Sequence, residues 1–140
     1  MTGQAFLVHA ELALAQHDPE RALTLMDDVI ESVGRMGLLV LLPSALHVKA
    51  RAVWTLGRVD EARAMLVDAG ARARAMQTRY RLLPIPMSLR KLEIALGHPM
   101  EAEAVRLEAS EVATCIAEHA PVELRTSFLS LPPVRVVMGA

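Results

Sequence analysis

The sequence predicts an all-α fold: a stack of about three helical hairpins, closed by a short C-terminal capping helix and a tail. Three observations carry this. Hydrophobic residues make up 53% of the chain, but they are mostly Ala, Leu, Val and Met, with one Trp, one Tyr and two Phe. Ala and Leu are the best helix formers, whereas aromatic and β-branched residues favour strands. A local pattern also recurs every 40 residues: HDPERA at His17 to Ala22, GRVDEA at Gly57 to Ala62, and GHPMEA at Gly97 to Ala102. Finally, the apolar residues between these segments recur at spacings of three and four, as on one face of a helix, and not in alternation.

Each element follows from these signals. The first helices of the three repeats are expected near 4–15, 44–56 and 86–96. Phe6, Ala10 and Leu14 match Leu46, Ala50 and Trp54 at the 40-residue offset. The second helices are expected near 19–33, 59–77 and 100–119. Their stripes run through Ala22, Leu25, Met26, Val29 and Ile30, through Ala62, Met65, Leu66 and Ala69, and through Ala102, Val105, Ala109, Ala113, Ile116 and Ala117. Pro19 and Pro99 stand where the second helix begins, a position that tolerates proline. Asp18 suits the N-cap. Gly57 and Gly97 suit the left-handed residue that ends a helix. Glu20, Asp60, Glu61 and Glu101 complement the positive end of the helix dipole. Pro84 and Pro86 predict a shortened or kinked first helix in the third repeat. A short helix near 121–130 and an irregular tail complete the map. The whole reads as one domain over 1–140, with repeats near 4–40, 41–80 and 81–120 and a cap over 121–140.

Composition excludes several roles. A formal net charge of -1 provides no global field to attract nucleic acid. The basic stretch lacks interleaved aromatics apart from Tyr80, so nucleic-acid binding is not expected. The single cysteine, Cys115, forms no internal disulfide, and the N-terminal segment has no basic start or cleavage site of a secretory signal. A cytoplasmic location is therefore expected. The longest apolar run, about Met36 to Leu42, is far below the roughly 20 residues that span a bilayer, so no membrane partner is expected. The Gly37 to Leu42 stretch reads as buried between repeats, with an exposed apolar patch as the alternative. Trp54 reads as core.

No phosphate-cradling G-x-x-x-x-G-K or G-x-G-x-x-G loop occurs, and no H-E-x-x-H or C-x-x-C. Cys115 and His119 are spaced i, i+4, with Glu111 and Glu118 nearby. They read as a core thiol beside a helix-terminal histidine, not as a metal site or a nucleophile. His9, His17, His47 and His98 are dispersed. No catalytic residue, cofactor or metal is expected, so the chain reads as a non-enzyme.

Charge is segregated. Between Ala69 and Leu92 lie Arg72, Arg74, Arg79, Arg81, Arg90 and Lys91 with no acid. Between Glu93 and Glu123 lie seven acids and only Arg106 as a base. Pairing between adjacent helices is one explanation. A docking surface for an acidic protein segment, formed by the six basic residues, is the functional one.

The segments GRVDEA and GHPMEA, each after a Leu-rich helix, resemble tetratricopeptide-type repeats, most strongly at the small residues Ala22, Ala62 and Ala102. The 40-residue period is longer than the usual 34 of that family. The order LPSALHVKARAVWTLGRVDEARAML, YRLL, LEIALGHPMEAEAVRLEASEVATCIAEH and ELRTSFLSLPPVR resembles the terminal repeats of large bacterial signalling ATPases, namely nucleotidyl cyclase-like chains and LuxR-type transcription regulators. The resemblance spans about residues 5–136. It implies a right-handed superhelical stack and a non-catalytic protein-interaction scaffold at the end of such an ATPase. The ATPase and cyclase modules themselves have no counterpart in the 140 residues. The alternative is a free-standing repeat protein that acts as an adaptor or through a homodimer covering its exposed end faces.

Overall fold

The computed structural model describes residues 3–37, 41–76 and 83–139. Every regular element among them is a helix: α1 (Gly3–Ala15), α2 (Pro19–Met36), α3 (Leu42–Thr55), α4 (Val59–Arg74), α5 (Pro84–Ala95), α6 (Pro99–His119), α7 (Val122–Ser130) and α8 (Pro132–Val137). None of them is long and apolar enough to cross a membrane. The chain divides into two compact units, Met1–Ala75 and Met76–Ala140.

The 40-residue period is visible bond by bond in the turns. The backbone N–H groups of Asp18, Arg58 and His98 donate to the carbonyls of Ala13, Val53 and Glu93 at 2.8, 3.1 and 2.9 Å. Those of His17, Gly57 and Gly97 donate to Leu14, Trp54 and Ile94 at 3.1, 2.9 and 3.0 Å. This is the paired closure that satisfies the last carbonyls of a helix, and it requires a left-handed residue. His17, Gly57 and Gly97 occupy that position with φ of 59, 85 and 76°. The second helix then starts at once. The Asp18 carboxylate accepts from the Arg21 N–H at 3.2 Å, whereas Arg58 and His98 cap with backbone alone.

In the first unit, α1 packs on α2 and α3, α2 on α3, and α3 on α4. Ala10, Ala13, Ala22, Met26, Val29, Val33, Ala45, Val48 and Ala52 form one continuous core. The alanines permit close helix approach, and Met26 and Leu66 supply the largest fully buried apolar side chains of the unit. Of the stretch Gly37 to Leu42, Leu41 and Leu42 are partly buried against this core and Gly37 is exposed; residues 38–40 lie outside the described residues. Two ion pairs tie helices together: Lys49 Nζ to Asp27 at 2.7 Å and Arg51 Nη1 to Glu11 at 2.8 Å.

In the second unit, α5 packs on α6, and α7 and α8 pack on α6 and on each other. Leu83, Ala109, Val112, Ala113, Val134 and Val137 form its core. α5 begins at Pro84, so the two prolines shorten the helix and do not kink it; both are accepted in its first turn, where no intrahelical donor is lost. The tail expected to be irregular contains α8. Pro132 and Pro133 occupy its first two positions, and Val134 and Val137 bury themselves on the core. At the other end of the map, α2 continues three residues past the expected boundary, through Gly34, and stops where Gly37 turns left-handed with φ 69°.

Candidate functional site

The second unit holds an open groove of about 250 Å³ between α5 and α8, lined by Met87, Arg90 and Lys91 on one side and by Pro132, Pro133, Val136 and Val137 on the other. Its floor is apolar and continuous with the core through Met87 and Val137. Two cationic side chains stand on the α5 wall. A short helix beginning with two prolines forms the opposite wall, and this wall is braced. Arg106 of α6 donates from Nη1 to the Val137 carbonyl at 2.9 Å and, through Nε and Nη2, grips Glu103 at 2.8 and 2.6 Å. That fork of hydrogen bonds, with Arg90 adding to the positive field, holds the Glu103 carboxyl below its usual range.

The repeat register explains how charge reaches this place. Ala10 and Ala50 are both fully buried, and the residue 40 further on is Arg90. Met26 and Leu66 are fully buried, and the residue 40 further on is Arg106. The helical pattern persists in the third hairpin, but two of its core positions carry guanidinium groups.

Of the six basic residues expected to form a docking surface, Arg90 and Lys91 line the groove. Arg72 and Arg74 belong to the first unit, in the last turn of α4. Arg72 pairs within its own helix, Nε to Asp68 at 3.0 Å. Arg79 and Arg81 lie outside the described residues. Cys115 is half-buried, with its Sγ 3.8 Å from His119 Nδ1, and the same nitrogen lies 2.8 Å from the Cys115 carbonyl. That short contact joins the imidazole to its own helix end. Trp54 is half-buried and so is not the full core residue expected.

A second cluster lies at the α5–α6 turn, where Glu93, His98 and Glu101 bring one ligand atom each within 4.8 Å of one another. Sequence reasoning placed these residues in a turn and in an acidic block and missed their convergence. The available signal was the register, since Glu93 stands where the first two hairpins bury Ala13 and Val53.

Comparison with known protein families, with curated proteins and with solved structures gave no match.

Proposed function

We propose that the chain is a non-catalytic protein-interaction scaffold that receives an acidic, partly apolar protein segment in the α5–α8 groove. The observation that carries this reading is the pairing of an apolar floor with Arg90 and Lys91 on one wall. Charged groups at a groove rim steer an oppositely charged partner and set its register, while the apolar floor supplies most of the affinity. The reading extends to a role as the terminal repeat region of a cytoplasmic signalling or transcription-regulating ATPase. What supports that extension is the segment ELRTSFLSLPPVR, whose helices α7 and α8 cover α6 in the manner of a terminal cap.

The test is fluorescence anisotropy with a panel of labelled peptides that combine Asp and Glu with a Leu or Phe anchor. Saturable binding is expected, weakened by salt and by Arg90→Glu with Lys91→Glu, but not by Arg72→Glu. Binding that ignores both groove substitutions overturns the assignment of the site. Absence of binding across the panel removes the acidic partner.

A second reading, homo-oligomerisation, is supported by apolar side chains left in water in the second unit. Met100 is 82% exposed and Val122 is 72% exposed. Light scattering tests it: a mass that rises from one chain to two across the micromolar range supports association, and a constant single-chain mass ends it.

A further inference from the structure

We propose that Glu93, His98 and Glu101 form a binding site for Zn²⁺ at the turn between α5 and α6. Glu93 comes from the last turn of α5, His98 is the N-cap of α6, and Glu101 lies in the first turn of α6. The turn itself is held by the His98 N–H bond to the Glu93 carbonyl at 2.9 Å and by Gly97 in the left-handed conformation. The backbone therefore fixes the two ends of the site before any ion arrives.

The cluster adds a third donor, Glu101, to an ion pair whose carboxylate is buried. Glu93 Oε2 and His98 Nδ1 are 3.4 Å apart. Two ligands with zinc bonds of about 2.1 Å in a tetrahedron stand about 3.4 Å from each other. His98 Nδ1 is screened from solvent and makes no hydrogen bond among the described residues, although the ring as a whole is 42% exposed. A nitrogen so placed faces the carboxylate at the spacing of two ligands on a common ion. The third donor, Glu101, is exposed and free to rotate inward, as all three ligand atoms already lie within 4.8 Å of one another.

The register supplies the second observation. The positions equivalent to Glu93 in the other hairpins are Ala13 at 2% and Val53 at 0% exposure, and Glu93 itself is 1% exposed. In place of a small apolar side chain, the third hairpin thus buries a carboxylate whose Oε2 faces His98 Nδ1. Two carboxylates and an imidazole match the charge of a divalent cation. One nitrogen and two oxygens suit zinc, which accepts both donor types and keeps open positions for water at three-ligand sites. Calcium asks for six to eight oxygens and magnesium for an octahedron of oxygens, so neither fits this donor set.

The experiment uses the full chain carrying Cys115→Ser, which removes the separate thiol–imidazole pair at Cys115 and His119, after treatment with chelator. Isothermal titration with ZnCl₂ is expected to show one ion per chain. His98→Asn and Glu93→Gln are each expected to weaken binding about tenfold or more, a loss at least equal to that from disturbing a residue that only supports a metal ligand. Co²⁺ should give visible absorption bands that His98→Asn abolishes. His98 is half-buried at a turn, whereas Glu93 is fully buried, so the His98 substitution tests the site even if Glu93→Gln perturbs folding. Failure to bind zinc, or binding that His98→Asn leaves unchanged, overturns the proposal.

Discussion

Replacing His17 by glycine should stabilise the first unit, while replacing Gly57 or Gly97 by alanine should destabilise its own hairpin. All three residues hold the same turn in the left-handed conformation, with φ of 59, 85 and 76°. For a residue with a Cβ this conformation costs roughly 1–2 kcal/mol. Glycine relieves that strain but gains freedom in the unfolded chain, a term of about 0.4–1 kcal/mol in the opposite direction. His17 is exposed, so little packing is lost on truncation. The net expectation for His17→Gly is a gain of roughly 0.5–1 kcal/mol. At Gly57 and Gly97 an added Cβ meets no atom within 4 Å, so the backbone alone decides the sign. The expected loss is again about 0.5–1 kcal/mol. Urea denaturation followed by circular dichroism reads both effects. In a thermal scan a unit of this size moves by roughly 4–8 °C per kcal/mol. If His17→Gly lowers the midpoint, or Gly57→Ala leaves it unmoved, the claim that these turns are strained alike is wrong.

Four further outcomes are expected. Burial holds the His47 imidazole down at about 4, with Arg51 pushing the same way and Glu11 opposing. The unfolded chain takes up this proton near 6.5 and the folded one only near 4, so stability is full above pH 6.5 and falls as pH drops between those values, by up to about 3 kcal/mol; urea midpoints from pH 7 to 4.5 should flatten in His47→Gln. Leu66→Ala should cost about 2–5 kcal/mol, because it empties a fully buried site, and a chevron or equilibrium melt measures it. Arg106→Ala removes the bond to the Val137 carbonyl, and hydrogen exchange should show faster amides across α8 with α1 to α4 unchanged. Glu93→Val should lower stability by about 1–3 kcal/mol, because it removes the buried carboxylate that faces His98 Nδ1 at 3.4 Å and leaves that nitrogen without its partner; an unchanged or higher melting point would show that the pair contributes nothing.

The helices were legible because two independent signals coincided at each turn: a left-handed or capping residue and the start of a new apolar stripe. The pattern failed where one residue type serves two purposes. The segment after residue 130 was expected to be irregular, yet it holds α8, where proline at the first two positions loses no hydrogen bond. The second helix was expected to end near residue 33, yet α2 runs through Gly34 to Met36, with Gly37 as its cap. At the groove, the basic character of Arg90 and Lys91 was legible, but their separation from Arg72 was not, since a charge run records sequence neighbours and says nothing of which unit each helix joins. Glu93 was hidden by the acidic block that follows it. Its burial emerges only when the third hairpin is overlaid on the register of Ala13 and Val53.

The repeated turn also has a consequence for synthesis. Each hairpin is closed by bonds between residues five apart, and the buried residues of the first unit all come from α1 to α4, each packed on a helix near it in sequence. Contacts so local in sequence need no long loop to close, and such topologies fold in microseconds to milliseconds. A ribosome adds about 5–20 residues per second. Some 45 residues separate the end of α4 from the end of α6. Several seconds therefore pass in which the first unit has all it needs to consolidate before the second unit is complete. Its apolar stripes are already covered when the Ala-rich face of α6 emerges, so the chain's own repeats have little opportunity to pair in the wrong order.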